Sequence, residues 1–420
     1  MIVAPGSYGA DVASSTEKGR YRDALAVREF RVIFGSYIVS MLGDVVAAVA
    51  LTVLVYRQSG SSFLAALTFT LAFLPHLFGG ALLSGLADGV SPRRLLVTCD
   101  LIAACLVGVM AIPGLPIGVP LLLLFVINLL APVYGGARAA LLPDLVPAHA
   151  FVPARSLLRL VAQSSQLAGN AAAGGLLLLL EPRQVLVIDA ATFLCSALVL
   201  RLGLLERPAR MVARAGGVAR DSLRGARAAL RLPRLRALLL FGWLVPAFSV
   251  WPEALAAPGV AAHGASPGAV GWWLMALPAG TFVGEIAALW ILPPAWRTRL
   301  MRPLAAAAFV PLLAFAFGPS LVVSIGLMVL SGLGAAYILG ADTLLLAETP
   351  EELRGRVFTI SSAGLMTTQG IGFGLAGAVA EFVPVDRAIV FAGLAGLAVV
   401  AFIRPVRRGA VAEPRIAETV

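Results

Sequence analysis

Twelve apolar stretches of roughly membrane-spanning length lie between Val32 and Ile403, and they leave little chain for anything else. Crossing the ~30 Å hydrocarbon core of a bilayer takes about 20 apolar residues of helix. The stretches are Val32–Tyr56, Phe63–Leu83, Leu95–Ile112, Leu121–Ala140, Leu160–Leu180 and Val185–Leu204, then Ala237–Leu255, Val270–Leu292, Leu304–Phe317, Leu321–Ala341, Val357–Ala380 and Ala388–Ile403. The ninth and twelfth are short, which predicts extension into flanking residues or little tilt. A chain that is 60% hydrophobic and 13% charged, with a mean hydropathy of +0.93, has too little polar surface for a soluble domain of this size. The expectation is an all-α integral membrane protein with twelve transmembrane helices.

The net charge of +10 invites a polyanionic partner, but its distribution argues otherwise. Of the 32 basic residues, only Arg57, Arg183 and Arg387 fall in one set of alternate loops. The rest lie with the N-terminus, in the other loops and in the tail, which is the positive-inside pattern. Both termini are therefore expected in the cytoplasm, the partner is the lipid bilayer, and nucleic acid is not expected. Cys99, Cys105 and Cys195 all fall inside spans, without disulfide or zinc spacing, so no metal or cofactor is expected. One lysine, Lys18, stands among the basic residues beside abundant alanine, a composition of high-GC bacterial genes. The expected location is a bacterial inner membrane, crossed many times.

The most polar internal stretch, Arg201 to Arg236, separates the spans into two sets of six. Within it, Asp221 to Leu232 has apolar residues at helical spacing with arginines between, the pattern of an interfacial helix on anionic lipid; a solvated linker is the equal alternative. A shift of about 203 residues lays the first span on the seventh and LLPDLVP (Leu141 to Pro147) near LLLAETP (Leu344 to Pro350), as in transporters built from parallel six-span repeats. Thr349, Pro350 and Glu352 read as a capping box opening a short cytoplasmic helix that feeds the eleventh span. The expected organisation is a disordered cytoplasmic leader (1–28), a six-helix half (29–204), an Arg-rich cytoplasmic linker (205–236), a second six-helix half (237–404) and a tail (405–420).

Four stretches carry a resemblance to a known family: SYIVSMLGD ending at Asp44, GLADGVSPRRLL from Gly85, ARAALLPDLVP from Ala137, and ETPEELRGRVF from Glu348. The chain resembles the major facilitator superfamily, in particular drug and siderophore exporters of the enterobactin exporter and macrolide efflux type. The loop after the second span is similar to the superfamily signature, with Asp88 as its acid and Arg93 and Arg94 as its basic end. It departs from the signature at Gly89, Ser91 and Pro92. The resemblance implies that Asp88 latches one conformation against the eleventh span or Arg138. The exporter motif Gly-Pro-x-x-Gly-Gly survives in the fifth span only as Asn170 to Gly175, with its glycine pair but not its kink.

Ionisable residues inside spans are functional candidates by default. Asp44 lies about 18 Å into the first span, which the resemblance places beside a central cavity, and it is the first candidate for proton coupling or substrate binding. Glu285, about 12 Å from the end of the eighth span, and His76, in the second, are the others. Asp100 and Asp189 are expected to pair structurally, and Asp342 closes the tenth span near Arg354. Asn128, Gln166, Trp243, Tyr337 and Gln369 are candidates for the cavity wall, or for helix packing one by one.

No phosphate-binding loop of the GxxxxGKS kind occurs, so the chain does not itself hydrolyse ATP. The leading expectation is a monomeric, proton-coupled exporter of small amphipathic molecules working by alternating access. No basic residue lies at depth in a span, which favours neutral or cationic lipophilic cargo. A metabolite or sugar importer of the same fold is the alternative. A membrane-embedded lipid-modifying enzyme is disfavoured, because the acids are dispersed singly instead of gathered into a catalytic set.

Overall fold

In lipid every backbone polar group must bond within its own segment, so apolar stretches of this length fold as helices. The computed structural model describes residues 21–75, 90–208, 232–349 and 354–403, and all regular elements there are helical. They are α1 (Tyr21–Ala26), α2 (Arg28–Ser59), α3 (Ser62–Phe73), α4 (Pro92–Met110), α5 (Gly118–Leu145), α6 (Phe151–Leu179), α7 (Pro182–Gly203), α8 (Pro233–Ser249), α9 (Trp251–Ala254), α10 (Ala256–Ala262), α11 (Ala269–Ile291), α12 (Pro294–Leu313), α13 (Leu321–Gly334), α14 (Tyr337–Glu348), α15 (Arg354–Ala380) and α16 (Val385–Phe402). Among the described residues eight helices, counting α8 with α9 and α13 with α14 as one each, are long and apolar enough to cross a membrane.

Local chemistry sets several ends. α2 stops at Gly60, whose φ of 65° is open to glycine without strain and whose amide bonds back to Tyr56. The Ser61 hydroxyl then accepts from the Leu64 amide and starts α3. Before α7, the Gln184 side chain reaches back to the Glu181 amide at 2.9 Å, with Pro182 at the first helical position.

Three expectations need correction. The leader is not disordered to residue 28: Tyr21–Ala26 is helical, and Ala24 is fully buried in a cluster with Ala150 and Ala154. The fourth stretch does not end at Ala140: LLPDL forms the last turns of α5, because Leu141, Leu142 and Leu145 are buried in that same cluster. The ninth stretch extends into its flank, one of the two expected outcomes: α12 starts at Pro294. The tenth is broken at Ala335 and Ala336, so Asp342 sits inside α14 rather than at the end of a span. Of the capping box only Thr349 is described, and its hydroxyl donates backward to the Leu345 carbonyl at 2.5 Å. The proposed interfacial helix at 221–232 lies almost wholly outside the described residues.

The chain gathers into two compact units, Met1–Ala215 with Ala254–Pro278, and Gly216–Glu253 with Ala279–Val420. In the first, α2 packs on α6 and α7, and α4 on α5 and α7. In the second, α8 packs on α15 and α16, and α12 on α13, α14 and α16. Lipid gives apolar side chains no reason to leave it, so such contacts rest on close approach of helix backbones. At Gly174 on α6 a Cβ would meet the Gly268 carbonyl, and at Gly271 on α11 it would meet Gly174 itself. The Asn170 amide donates across the same crossing to the Leu274 carbonyl at 3.1 Å. Half of the vestigial exporter motif is thus a packing device.

Candidate functional site

Four helices of the first unit bring three carboxylates and one guanidinium together. On α2, Tyr37 and Asp44 are two turns apart on one face. On α5, Tyr134 and Arg138 are one turn apart. α4 supplies Asp100, and α7 supplies Asp189, Thr192 and Ser196. α2 and α7 meet at Gly43, where a Cβ would strike the Asp189 carboxylate and the Thr192 hydroxyl. Only glycine next to Asp44 allows that approach.

The three acids differ in their partners. Buried Asp100 accepts a 2.6 Å hydrogen bond from the equally buried Ser196. Buried Asp189 accepts one of 3.1 Å from Thr192, whose hydroxyl also lies 2.8 Å from the Asp189 carbonyl. Half-buried Asp44 has no hydrogen-bond partner among the described residues, yet Asp189, Asp100 and Arg138 all lie within electrostatic reach of it. The Arg138 guanidinium stacks 3.6 Å from the Tyr37 ring centre and 4.7 Å from that of Tyr134. Its contacts are two aromatic faces, which hold a cation without neutralising it. With all three acids ionised the cluster would carry two uncompensated negative charges in a low-dielectric setting. It therefore calls for protons or a cation.

The sequence candidates sort as follows. Asp44 joins this cluster, and so do Asp100 and Asp189. Arg138, expected at a latch with Asp88, stacks on Tyr37 and Tyr134 beside this cluster. Arg93 donates to the Arg201 carbonyl at the end of α7, and Arg94 pairs with Glu206 at 2.5 Å. Asp88 and His76 lie outside the described residues. Asn128 bonds its own helix at the Leu124 carbonyl, and Gln166 is exposed on α6. Trp243 is packed against α15, donating to the Ser361 carbonyl at 3.0 Å, and Gln369 is half-buried on the same helix. Glu285 on α11 lies within electrostatic reach of Asp342 on α14. Among the described residues no group of three or more His, Cys, Asp or Glu is arranged to hold a metal.

Sequence reasoning missed Tyr37, Tyr134 and the half-buried Glu253 of α9. The tyrosines were readable as helix-face neighbours of Asp44 and Arg138. Glu253 was readable as an acid within the seventh apolar stretch. It also missed a clamp where the chain leaves α7: Arg207 grips Glu29 with two bonds of 2.9 and 2.6 Å, and the Leu205 amide adds a third of 2.8 Å. Glu29 precedes the apolar part of α2, and the Arg207 hydrogen bond holds its carboxyl below the usual carboxylate value, while Arg207 is held more firmly protonated.

No family model matches the chain, and no curated protein matches it. Solved structures do. A bacterial homolog of the human lysosomal transporter Spinster aligns at 16% identity over 89% of this chain and 94% of its own, with a TM-score of 0.63. The nucleoside transporter NupG aligns at 16% identity over 87% and 97%, TM-score 0.65. The POT family transporter PepTSo aligns at 11% identity over 89% and 96%, TM-score 0.67. The chain shares the fold of these transporters. At these identities the likeness carries the fold and nothing of cargo or direction.

Proposed function

We propose that this chain is a secondary active transporter of the major facilitator superfamily, of two six-helix halves with cytoplasmic termini, that exports small amphipathic molecules in exchange for protons. The observation that carries the proton part is the Asp44 cluster: three carboxylates on three helices, one stacked arginine on a fourth, and Asp44 alone without a hydrogen bond among the described residues. Asp100 and Asp189 are each held by a hydroxyl. Asp44 is the member left to take up and release a proton. Its loading cancels one of the two uncompensated charges, which changes the electrostatic cost of the α2–α7 contact at Gly43. A charge change at a tight helix contact is the kind of local event that biases one of two global arrangements. Alternating access then moves cargo outward as protons move in.

The test is transport in proteoliposomes with an imposed pH gradient. Asp44→Asn removes the titrating group at nearly constant shape, so uphill transport should fall to background while downhill exchange persists. A variant that still concentrates substrate with unchanged proton dependence removes Asp44 from the mechanism. Flux that runs only inward under the same gradient would instead identify an importer.

A further inference from the structure

The turn between α11 and α12 gathers positive charge, and its three arginines are used unequally. From Ile286 to Ala341 the chain holds no Asp or Glu, yet Arg297, Arg299 and Arg302 fall within two turns of α12. Arg297 donates to the Leu292 and Leu289 carbonyls at 2.9 Å each and so caps α11. Arg302 does the same for α16, with a 2.8 Å bond to the Val400 carbonyl. Both charges are set against the negative ends of helices. Arg299 is exposed, and among the described residues its contact is the Trp296 ring, whose centre lies 5.6 Å from the guanidinium carbon. A ring face attracts that charge but does not neutralise it.

Depth and direction follow from the helix itself. The span Ala295–Phe317 has 23 residues, about 35 Å of helix, which exceeds the ~30 Å hydrocarbon core by roughly a turn. The end that carries the arginines is the one that stays outside the core, because a charge at depth is costly. Trp296, Arg299, Pro303, Ala307 and Val310 are all exposed and recur every three or four residues, so they share one face of α12. The opposite face is buried at Met301, Ala305, Ala308 and Phe309. The exposed face thus runs from an apolar stripe in the core to a guanidinium and a half-exposed indole at its edge. Just before the turn, Trp290 of α11 is 87% exposed, and indoles favour the headgroup level.

We infer that this face of α12 binds an anionic phospholipid of the cytoplasmic leaflet, with a headgroup of the phosphatidylglycerol kind. The lipid phosphate pairs with Arg299, its glycerol backbone lies at the level of Trp296, and an acyl chain follows Pro303, Ala307 and Val310. A soluble anion would use the guanidinium and leave the indole and the stripe idle. A zwitterionic lipid brings an ammonium, and the turn has no carboxylate to receive it. The cytoplasmic assignment rests on the topology in the reading above; the lipid chemistry does not.

The experiment places the full-length chain in phosphatidylcholine vesicles in which part of the lipid is phosphatidylglycerol brominated on its acyl chains, a contact quencher of tryptophan. Brominated phosphatidylcholine is the reference. At equal mole fraction, wild-type fluorescence should be quenched more by the phosphatidylglycerol. Arg299→Gln should cut that preference about fivefold, the scale of one basic residue at an anionic surface, and Arg299→Lys should keep most of it. Arg155→Gln, which removes an exposed charge from α6, should leave it unchanged. Glycerol 1-phosphate in the buffer should not compete. Melting curves of each variant verify folding. No preference in wild type, full preference in folded Arg299→Gln, or displacement by glycerol 1-phosphate overturns the inference. Because both leaflets of these vesicles hold the lipid, such a failure leaves the topology standing. Thiol reagent reaching Arg299→Cys from outside intact cells would instead overturn the cytoplasmic assignment and the topology with it.

Discussion

The Glu29 clamp offers a quantitative prediction. Glu29→Gln leaves one oxygen for the Leu205 amide but sets a neutral amide, one of whose groups is itself a donor, against the Arg207 guanidinium. A hydrogen bond to a charged group contributes about 1.5 to 3 kcal/mol, whereas an exposed ion pair contributes only ~0.2 to 1 kcal/mol. The side chains of Arg207 and Glu29 are 26% and 16% exposed, so the pair lies between those cases. The expected loss is about 2 kcal/mol, or roughly 4 to 8 °C for a cooperative unit of a couple of hundred residues. The pH dependence has a definite sign. The folded carboxyl titrates below its ordinary value of 4.5, so its stabilisation is complete above that value and is lost as pH falls through the folded value. Wild-type protein should therefore show an acid-side drop in melting temperature that Glu29→Gln lacks. Scanning both proteins in detergent from pH 7 to pH 3 checks it. Equal melting temperatures with superimposable acid limbs would refute the claim that this clamp holds the start of the linker onto α2.

Three further outcomes are expected. Gly43→Val should separate α2 from α7 at the acidic cluster, at a cost of about 1 to 3 kcal/mol for overpacking, with loss of proton-dependent flux; wild-type melting and flux together would show that the contact is loose. Cysteines introduced between Arg201 and Arg236 should react only with reagent on the cytoplasmic side, and labelling from outside intact cells would reverse the topology. Asp88→Asn should lower transport at unchanged expression, and normal flux would mark the altered signature loop as inactive.

Much of the fold was legible because the physics of lipid is severe: helices are the one local answer to long apolar stretches, and each of the twelve stretches carries helix in its described part. What periodicity could not show is where those helices stop or break. The run Gly332–Leu333–Gly334–Ala335–Ala336 holds no proline, and a propensity reading continues the helix. The structure breaks it where Gly334 presses on the backbone of Ala308, a tertiary contact that no local signal announces. The end of the fourth stretch was misplaced for the opposite reason. Pro143 and Asp144 interrupt the apolar run, but burial of Leu141, Leu142 and Leu145 keeps the segment helical. Among site residues, Asp44 stood out as an acid deep in a span. Its company did not, since which of Asp100, Asp189 and Arg138 meet it depends on helix rotation, and rotation is set by small-residue contacts such as that at Gly43.

The surroundings of Asp44 bear on why a proton is the partner it calls for. The excess negative charge there is shared among three carboxylates and softened by Arg138, so a proton can bind or leave without a cation of any size having to fit. On the proposed function the coupling then rests with Asp44, and replacing an acid of the other compact unit should spare it. Loss of proton-dependent flux in a folded Glu285→Gln protein that keeps Asp44 would show instead that coupling is not confined to this cluster.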